Sequence, residues 1–319
     1  RLLLPALFAL FWSLQSSADQ QPLEISAKNL SDIVKVMASD DFEGRAPGTP
    51  GEDKTVAYLI AQMQEIGLEP GGANGSWTQA VPMMRSEVKS PVTMTFSTPK
   101  TVLTLDQGVS VSVDTATALT NISAADVPVV FVGFGANAPE QDWDDYGDID
   151  LTDKLVIYLV NDPDFAAQPD EPVAGRFGNR RMTYYGRWAY KFEEAARRGA
   201  FGALVIHETE AAGYDWSVAA AGAGENVSLA NKDPKALPVK LQGWLHNDAA
   251  HKLLATAGHD LDALREKARQ PEFQAFELEG IRFDANLEVD ITTFDSQNVL
   301  GLIPGSARPE EVIMASAHW

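Results

Sequence analysis

The feature that most constrains this chain is a change of hydrophobic period that happens twice. Before about residue 77, apolar residues recur at helical spacing. Leu30, Ile33, Val34 and Met37 form one such set, and Val56, Leu59, Ile60, Met63 and Ile66 form another. Beyond that point "VTMTF" and "VSVSV" alternate with the period of half-buried strands. "VPVVFVGFG" (Val127 to Gly135) and "KLVIYLV" (Lys154 to Val160) are apolar throughout, as strands covered on both faces are. After Gly280 the stretches "LEVDITTF", "QNVLGLIPG" and "EVIMASAH" read as strands separated by tight turns, with Pro304-Gly305-Ser306 supplying turn chemistry. At 319 residues there is room for two domains. The order predicts one α/β domain, opened before residue 80 and resumed after 280, with a mostly β module inserted between.

Local signals refine the helices. Thr49 as N-cap, Pro50 at N1 and Glu52 three residues after the cap predict a capping box, and Gly67 sits where a C′ glycine belongs. Trp188 to Arg198 reads as a short helix closed by Gly199 and followed by the strand "ALVIH". "LPVKL" (Leu237 to Leu241) reads as another strand, and Asn247 to Arg269 as largely helical.

Composition narrows the function classes. Lys and Arg number 25 against 45 Asp and Glu, a formal charge of −20, and so acidic a surface excludes nucleic acid as a partner. There is no cysteine, so any zinc must be held by His, Asp and Glu. The opening "RLLLPALFALFWSLQSSADQQ" carries Arg1, an apolar run from Leu2 to Leu14 and then Ser16-Ser17-Ala18, the layout of a secretory signal peptide cleaved after Ala18. A membrane anchor is the alternative, but the run is shorter than the ~20 residues of a bilayer span. The expectation is export to the periplasm or the medium, with no membrane span.

Among the histidines, His318 follows the apolar stretch Val312 to Ala317. If that stretch is a central strand, His318 lies at its carboxyl end, where open α/β sheets build active sites. A satisfied loop histidine is the plainer alternative. "GFGANA" (Gly133 to Ala138) matches a dinucleotide pattern but does not open a helix, so it reads as a turn. Asp142, Asp144 and Gly147 fall in partial calcium-loop register, yet Tyr146 occupies a ligand position and a solvated loop is the default. The stretch Arg176 to Lys191 gathers Arg176, Arg180, Arg181, Arg187 and Lys191 among aromatics. It can grip a substrate carboxylate or serve as scaffolding. His246 and His251 do not share a helical face, and His259 reads as a surface residue.

Taken in order, the segments resemble a known family. "DDFEGRAPGTPGEDKTVAYLIAQMQEIGLEP" is similar to the opening of the zinc exopeptidases related to aminopeptidase Y and glutamate carboxypeptidase, metallopeptidase family twenty-eight. "DSQNVLGLIPGSARPEEVIMASAHW" resembles their strand pair leading to the first metal ligand. "VPVVFVGFGANAPEQDWDDYGDIDLTDKLVIYLV" and "YKFEEAARRGAFGALVIH" resemble a protease-associated (PA) domain. The resemblance implies an α/β zinc-exopeptidase-like (phosphorylase/hydrolase-like) mixed sheet with helices, incomplete here, plus an inserted mostly β PA domain. The implied boundaries are a signal peptide at 1–18, a first peptidase part at 19–105, the insert at 106–279 and the resumed peptidase domain at 280–319. It also implies a two-zinc centre acting on peptide substrates, with His318 as a zinc ligand. The family's bridging aspartate would come directly after Trp319, so the sequence is expected to be cut inside the metal motif. The general base and remaining ligands of the family lie downstream, so no catalytic or cofactor-binding residue is assigned.

The expected function is therefore an exported zinc aminopeptidase in which a metal-activated water attacks the scissile carbonyl, the 319-residue piece by itself being inactive. The other class is a receptor or binding protein that keeps the folds without the metals. A subtilisin-type protease with a PA insert lacks a matching nucleophile turn.

Overall fold

The computed structural model describes residues 25–230 and 237–319, so the expected signal peptide at 1–18 lies outside the described residues. The described residues divide into two compact units, one made of residues 25–69 with 301–319 and the other of those between 70 and 300. Both belong to a mixed α/β architecture.

The larger unit is built on a ten-stranded mixed sheet. Its strands are β1 (Thr78–Val88), β2 (Thr93–Ser97), β3 (Val102–Thr104), β4 (Val111–Asp114), β5 (Asn121–Phe131), β6 (Leu155–Leu159), β7 (Gly202–His207), β8 (Glu225–Leu229), β9 (Leu241–His246) and β10 (Phe276–Val299). The order is β8-β1-β10-β5-β6-β7-β9-β4, with β2 and β3 attached through β10. β5, β6, β7 and β9 are mutually parallel, and the other pairings are antiparallel.

The apolar runs become strands buried on both faces, as their composition requires. Val129, Phe131, Leu155, Ile157, Leu204 and Ile206 face one core, which α4 (Asn247–Thr256) and α5 (Leu261–Ala268) cover with Leu253, Leu254, Leu261 and Leu264. Val130, Val156, Tyr158, Ala203 and Val205 face the other, covered by Phe192 and Ala195 of α3 (Trp188–Arg197). β10 buries Ile281, Phe283, Ala285, Leu287 and Val289, alternate residues along one face.

The larger unit extends further in both directions than the boundaries at 106 and 279 suggest. β1 and β2 precede residue 106, yet their ladder partner is β10, which itself runs to Val299. Backbone pairing, not the change of period, decides membership. The strand expected at "LPVKL" starts instead at Leu241, where "LQGWLH" fits between β7 and β4. Gly243 makes this possible, since a Cβ there would lie 2.1 Å from the Ser112 carbonyl oxygen.

In the smaller unit, α1 (Ala27–Met37) is capped by Ser26, whose hydroxyl accepts from Asn29 N, and α2 (Pro50–Glu65) carries Pro50 in its first turn. The Thr49 half of the capping box does not form. Thr49 Oγ1 donates to the Ala46 carbonyl, while Glu52 accepts from Gly48 N, one residue ahead of the cap. At the other end Gly67 takes φ +82°, with Gly67 N bonded to Gln64 O and Leu68 N to Met63 O, the Schellman pattern. The strand expected at Val312 to Ala317 is not formed. Val312, Ile313 and Met314 lie on an exposed stretch without regular secondary structure, and among the described residues none pairs with it in a ladder. An all-apolar strand needs ladder partners and cover on both faces. The same unit leaves Leu30, Ile33, Val34 and Val36 of α1 exposed. Among the described residues no helix is long and apolar enough to cross a membrane.

Candidate functional site

His318 sits on that exposed stretch, without regular secondary structure. The remaining histidines are dispersed. His207 ends β7 and His246 ends β9, His251 Nε2 lies 3.9 Å from Asp262 Oδ1, and the His259 ring packs 5.1 Å from Phe276. Among the described residues no group of three His, Cys, Asp or Glu side chains could hold a metal.

The structure concentrates polar and apolar groups elsewhere, at the carboxyl edge of the parallel strands, where open sheets form ligand crevices. Lys191 in the first turn of α3 is fully buried. Its Nζ donates to the carbonyls of Phe134 (2.6 Å), Asn161 (3.2 Å) and Tyr185 (3.2 Å), which follow β5, follow β6 and precede α3. Burial pulls its pKa down to about 8, against the attraction of Asp162 and Asp145. Asp162 accepts from Thr183 N and Oγ1, both at 2.6 Å, and burial raises its pKa. Asp164 Oδ2 accepts from Phe177 N (2.9 Å) and Asn179 N (2.8 Å). Asp145 accepts from Ala136 N and Trp143 Nε1, each at 2.9 Å, and burial pushes its pKa up to about 7.

These bonds fix the long connection from β6 to α3, so the Arg176 to Lys191 stretch works as scaffolding. The Arg176 guanidinium lies over Trp143 and donates to the carbonyls of Gln141 and Pro172. Arg180 pairs with Glu210 at 2.8 Å and covers Phe165.

Beneath the connection lies a cleft of about 60 Å³. Phe134, Leu159, Val160 and Ile206 form its apolar floor, Phe165 and Ala211 its walls, and Glu208, Arg265 and Arg269 its rim. Arg269 binds Glu171 with two bonds, Nε to Oε2 at 2.8 Å and a second nitrogen to Oε1 at 3.2 Å. Arg265 pairs with Asp262 at 2.7 Å and also contacts Asn247. Its Nε lies 3.3 Å from Glu208 Oε2, but off the N–H direction, and this buried donor has no hydrogen-bond acceptor.

Next to the cleft, His207 stands opposite His246 in register. Its ring packs against Tyr214 (5.5 Å), Trp216 (5.4 Å) and Trp244 (5.4 Å), and its buried Nε2 has no partner. Burial, then the neighbouring His246, lower its pKa, so the imidazole is neutral at pH 7.

The sequence held part of this. Arg265 in the last helix and Arg269 at its C-cap are four apart, which places them on one face. The carboxyl ends of "KLVIYLV" and "ALVIH" mark the crevice. The burial of Lys191 has no sequence signal, since a lysine in a helix is normally solvated.

The sequence matches no protein-family model and none of the curated proteins. The described residues also do not assemble the donor set a catalytic zinc requires. Such a zinc takes three protein ligands, and His318 is not joined by others.

Proposed function

We propose that the chain is the first part of an exported, zinc-dependent aminopeptidase of the aminopeptidase Y and glutamate carboxypeptidase family, carrying a PA-like insert. The observation that carries this reading is the topology of the units. The described residues 25–69 and 301–319 cluster together although some 230 residues intervene in the chain, which is how a host domain accepts an insert. The order of the resembling segments supports the same arrangement. So do Val312, Ile313, Met314 and the apolar face of α1, exposed surfaces that suit a host layer completed by further strands.

In this reading His318 binds one of two zinc ions, an aspartate directly after Trp319 bridges them, and substrates are peptides with a free N-terminus. The remaining ligands and the general base come from outside these 319 residues. The test is made in the parent protein. His318→Ala should leave the fold intact, because the side chain is exposed, and should abolish both zinc retention and release of N-terminal residues from peptide amides. Full metal occupancy and normal turnover in the variant would return His318 to an ordinary loop residue. A binding protein without metals is the second reading, favoured by the well-formed cleft of the larger unit. A parent that binds peptides but has no chelator-sensitive turnover would support it.

A further inference from the structure

We infer that the cleft at the carboxyl edge of the parallel strands is a recognition site for a branched aliphatic residue of a peptide. Size comes first. An engineered apolar cavity of about 150 Å³ admits benzene, whereas this one holds about 60 Å³. It suits an isopropyl or isobutyl group and excludes an aromatic ring. The floor of Leu159, Val160 and Ile206 supplies the matching surface.

The rim then decides what the aliphatic group is attached to. Arg269 is neutralised by Glu171 through two bonds, and Arg265 by Asp262. Arg265 also lies 3.3 Å from Glu208, so no unpaired cation is left at the rim to answer an anion. What remains is one N–H, Arg265 Nε, buried at the cleft with no acceptor, an arrangement that is costly until filled. A neutral carbonyl oxygen beside a branched side chain meets both requirements, and a peptide backbone presents this pair at every valine, leucine or isoleucine. A free amino acid brings a carboxylate that finds no unpaired cation at the rim and faces Glu208 there. The peptide is therefore the occupant.

Binding does not require hydrolysis, so the inference stands or falls apart from the proposed peptidase activity. The full chain, labelled at Ile, Leu and Val methyls, would be titrated with N-acetyl-leucine N-methylamide. The methyls of Leu159, Val160 and Ile206 should shift together and saturate at roughly 1–20 mM. N-acetyl-phenylalanine N-methylamide should leave them in place, and free leucine should bind at least about tenfold more weakly. Ala211→Leu, which fills the cleft from its wall, should remove the response. That loss counts only if the variant keeps the wild-type thermal midpoint, and the comparison between ligands needs no variant. Absent shifts with the leucine amide, equal shifts with the phenylalanine amide, or tighter binding of free leucine would each overturn the assignment.

Discussion

Lys191 Nζ donates to the Phe134 carbonyl at 2.6 Å, tying the first turn of α3 to the loop that leaves β5. Two more carbonyls, Asn161 and Tyr185, complete the shell of this buried ammonium. Lys191→Met keeps the stem but leaves three buried acceptors, and the nearby Asp162 and Asp145, without the cation. Loss of about 3 kcal/mol is expected. Urea unfolding followed by tryptophan fluorescence should show a lower midpoint at an unchanged slope. A midpoint equal to wild type would mean that the cation contributes nothing net.

Asp145 gives a pH dependence with a defined sign. Its folded pKa of about 7 stands above the ordinary 3.8, so the folded chain holds a proton that the unfolded chain releases. The stabilisation is complete below about pH 3.8 and is lost as pH rises through about 7. Asp145→Asn should abolish this term. The stability difference, wild type minus variant, should then fall by up to about 4 kcal/mol between pH 4 and pH 8. Parallel stability curves would reject the account.

His207 acts in the opposite direction. Its pKa is lowered from 6.5 in a cage whose titratable neighbours are His246, Asp215 and Tyr214. Its contribution is present above pH 6.5 and lost as pH falls through the lowered folded value. Acidification should change the emission of Trp216 and Trp244, which pack on the ring. Because His246 also packs on Trp216 at 4.9 Å, the deciding comparison is His207→Phe against His246→Phe, and only the former should remove the response of Trp244.

The Glu171–Arg269 pair is mostly buried, each side chain 17% exposed. A double-mutant cycle with alanines should return a coupling of about 1–2 kcal/mol that survives added salt. The exposed Lys28–Asp32 pair serves as contrast, with coupling of about 0.3–0.5 kcal/mol that salt removes. Equal couplings would show that burial is not what distinguishes them.

Gly243→Ala tests the edge of the sheet. Because the added carbon would meet Ser112 backbone at 2.1 Å, β4 and β9 cannot both keep their places. A loss of about 3 kcal/mol or more and weakened amide protection across Val111–Asp114 are expected.

Patterns that depend on near neighbours were readable in the sequence. The two-faced runs at Val127 and Lys154 became central strands, and Gly67 ended α2 as its position implied. Long-range pairing was not readable. Nothing in "VTMTF" states that its partner is Arg282–Asn286, and this choice moved the unit boundary. The stretch after Val312 has strand composition yet no ladder, because composition supplies no partner. For the candidate site, His318 was singled out by its position after an apolar run, a run that forms no strand. The cleft was not found, because its lining comes from the loop after β5, the ends of β6 and β7, the connections that follow them, and α5 with its C-cap.

The strand from Phe276 to Val299 has a consequence for how the larger unit comes apart. Its first half is laced to β5 and its second half to β1. A single covalent spine thus crosses both wings of the sheet, and neither wing can let go without exposing part of the same ladder to water. The unit should melt as one cooperative block, and slow-exchanging amides along β1, β5 and β10 should share a common opening energy.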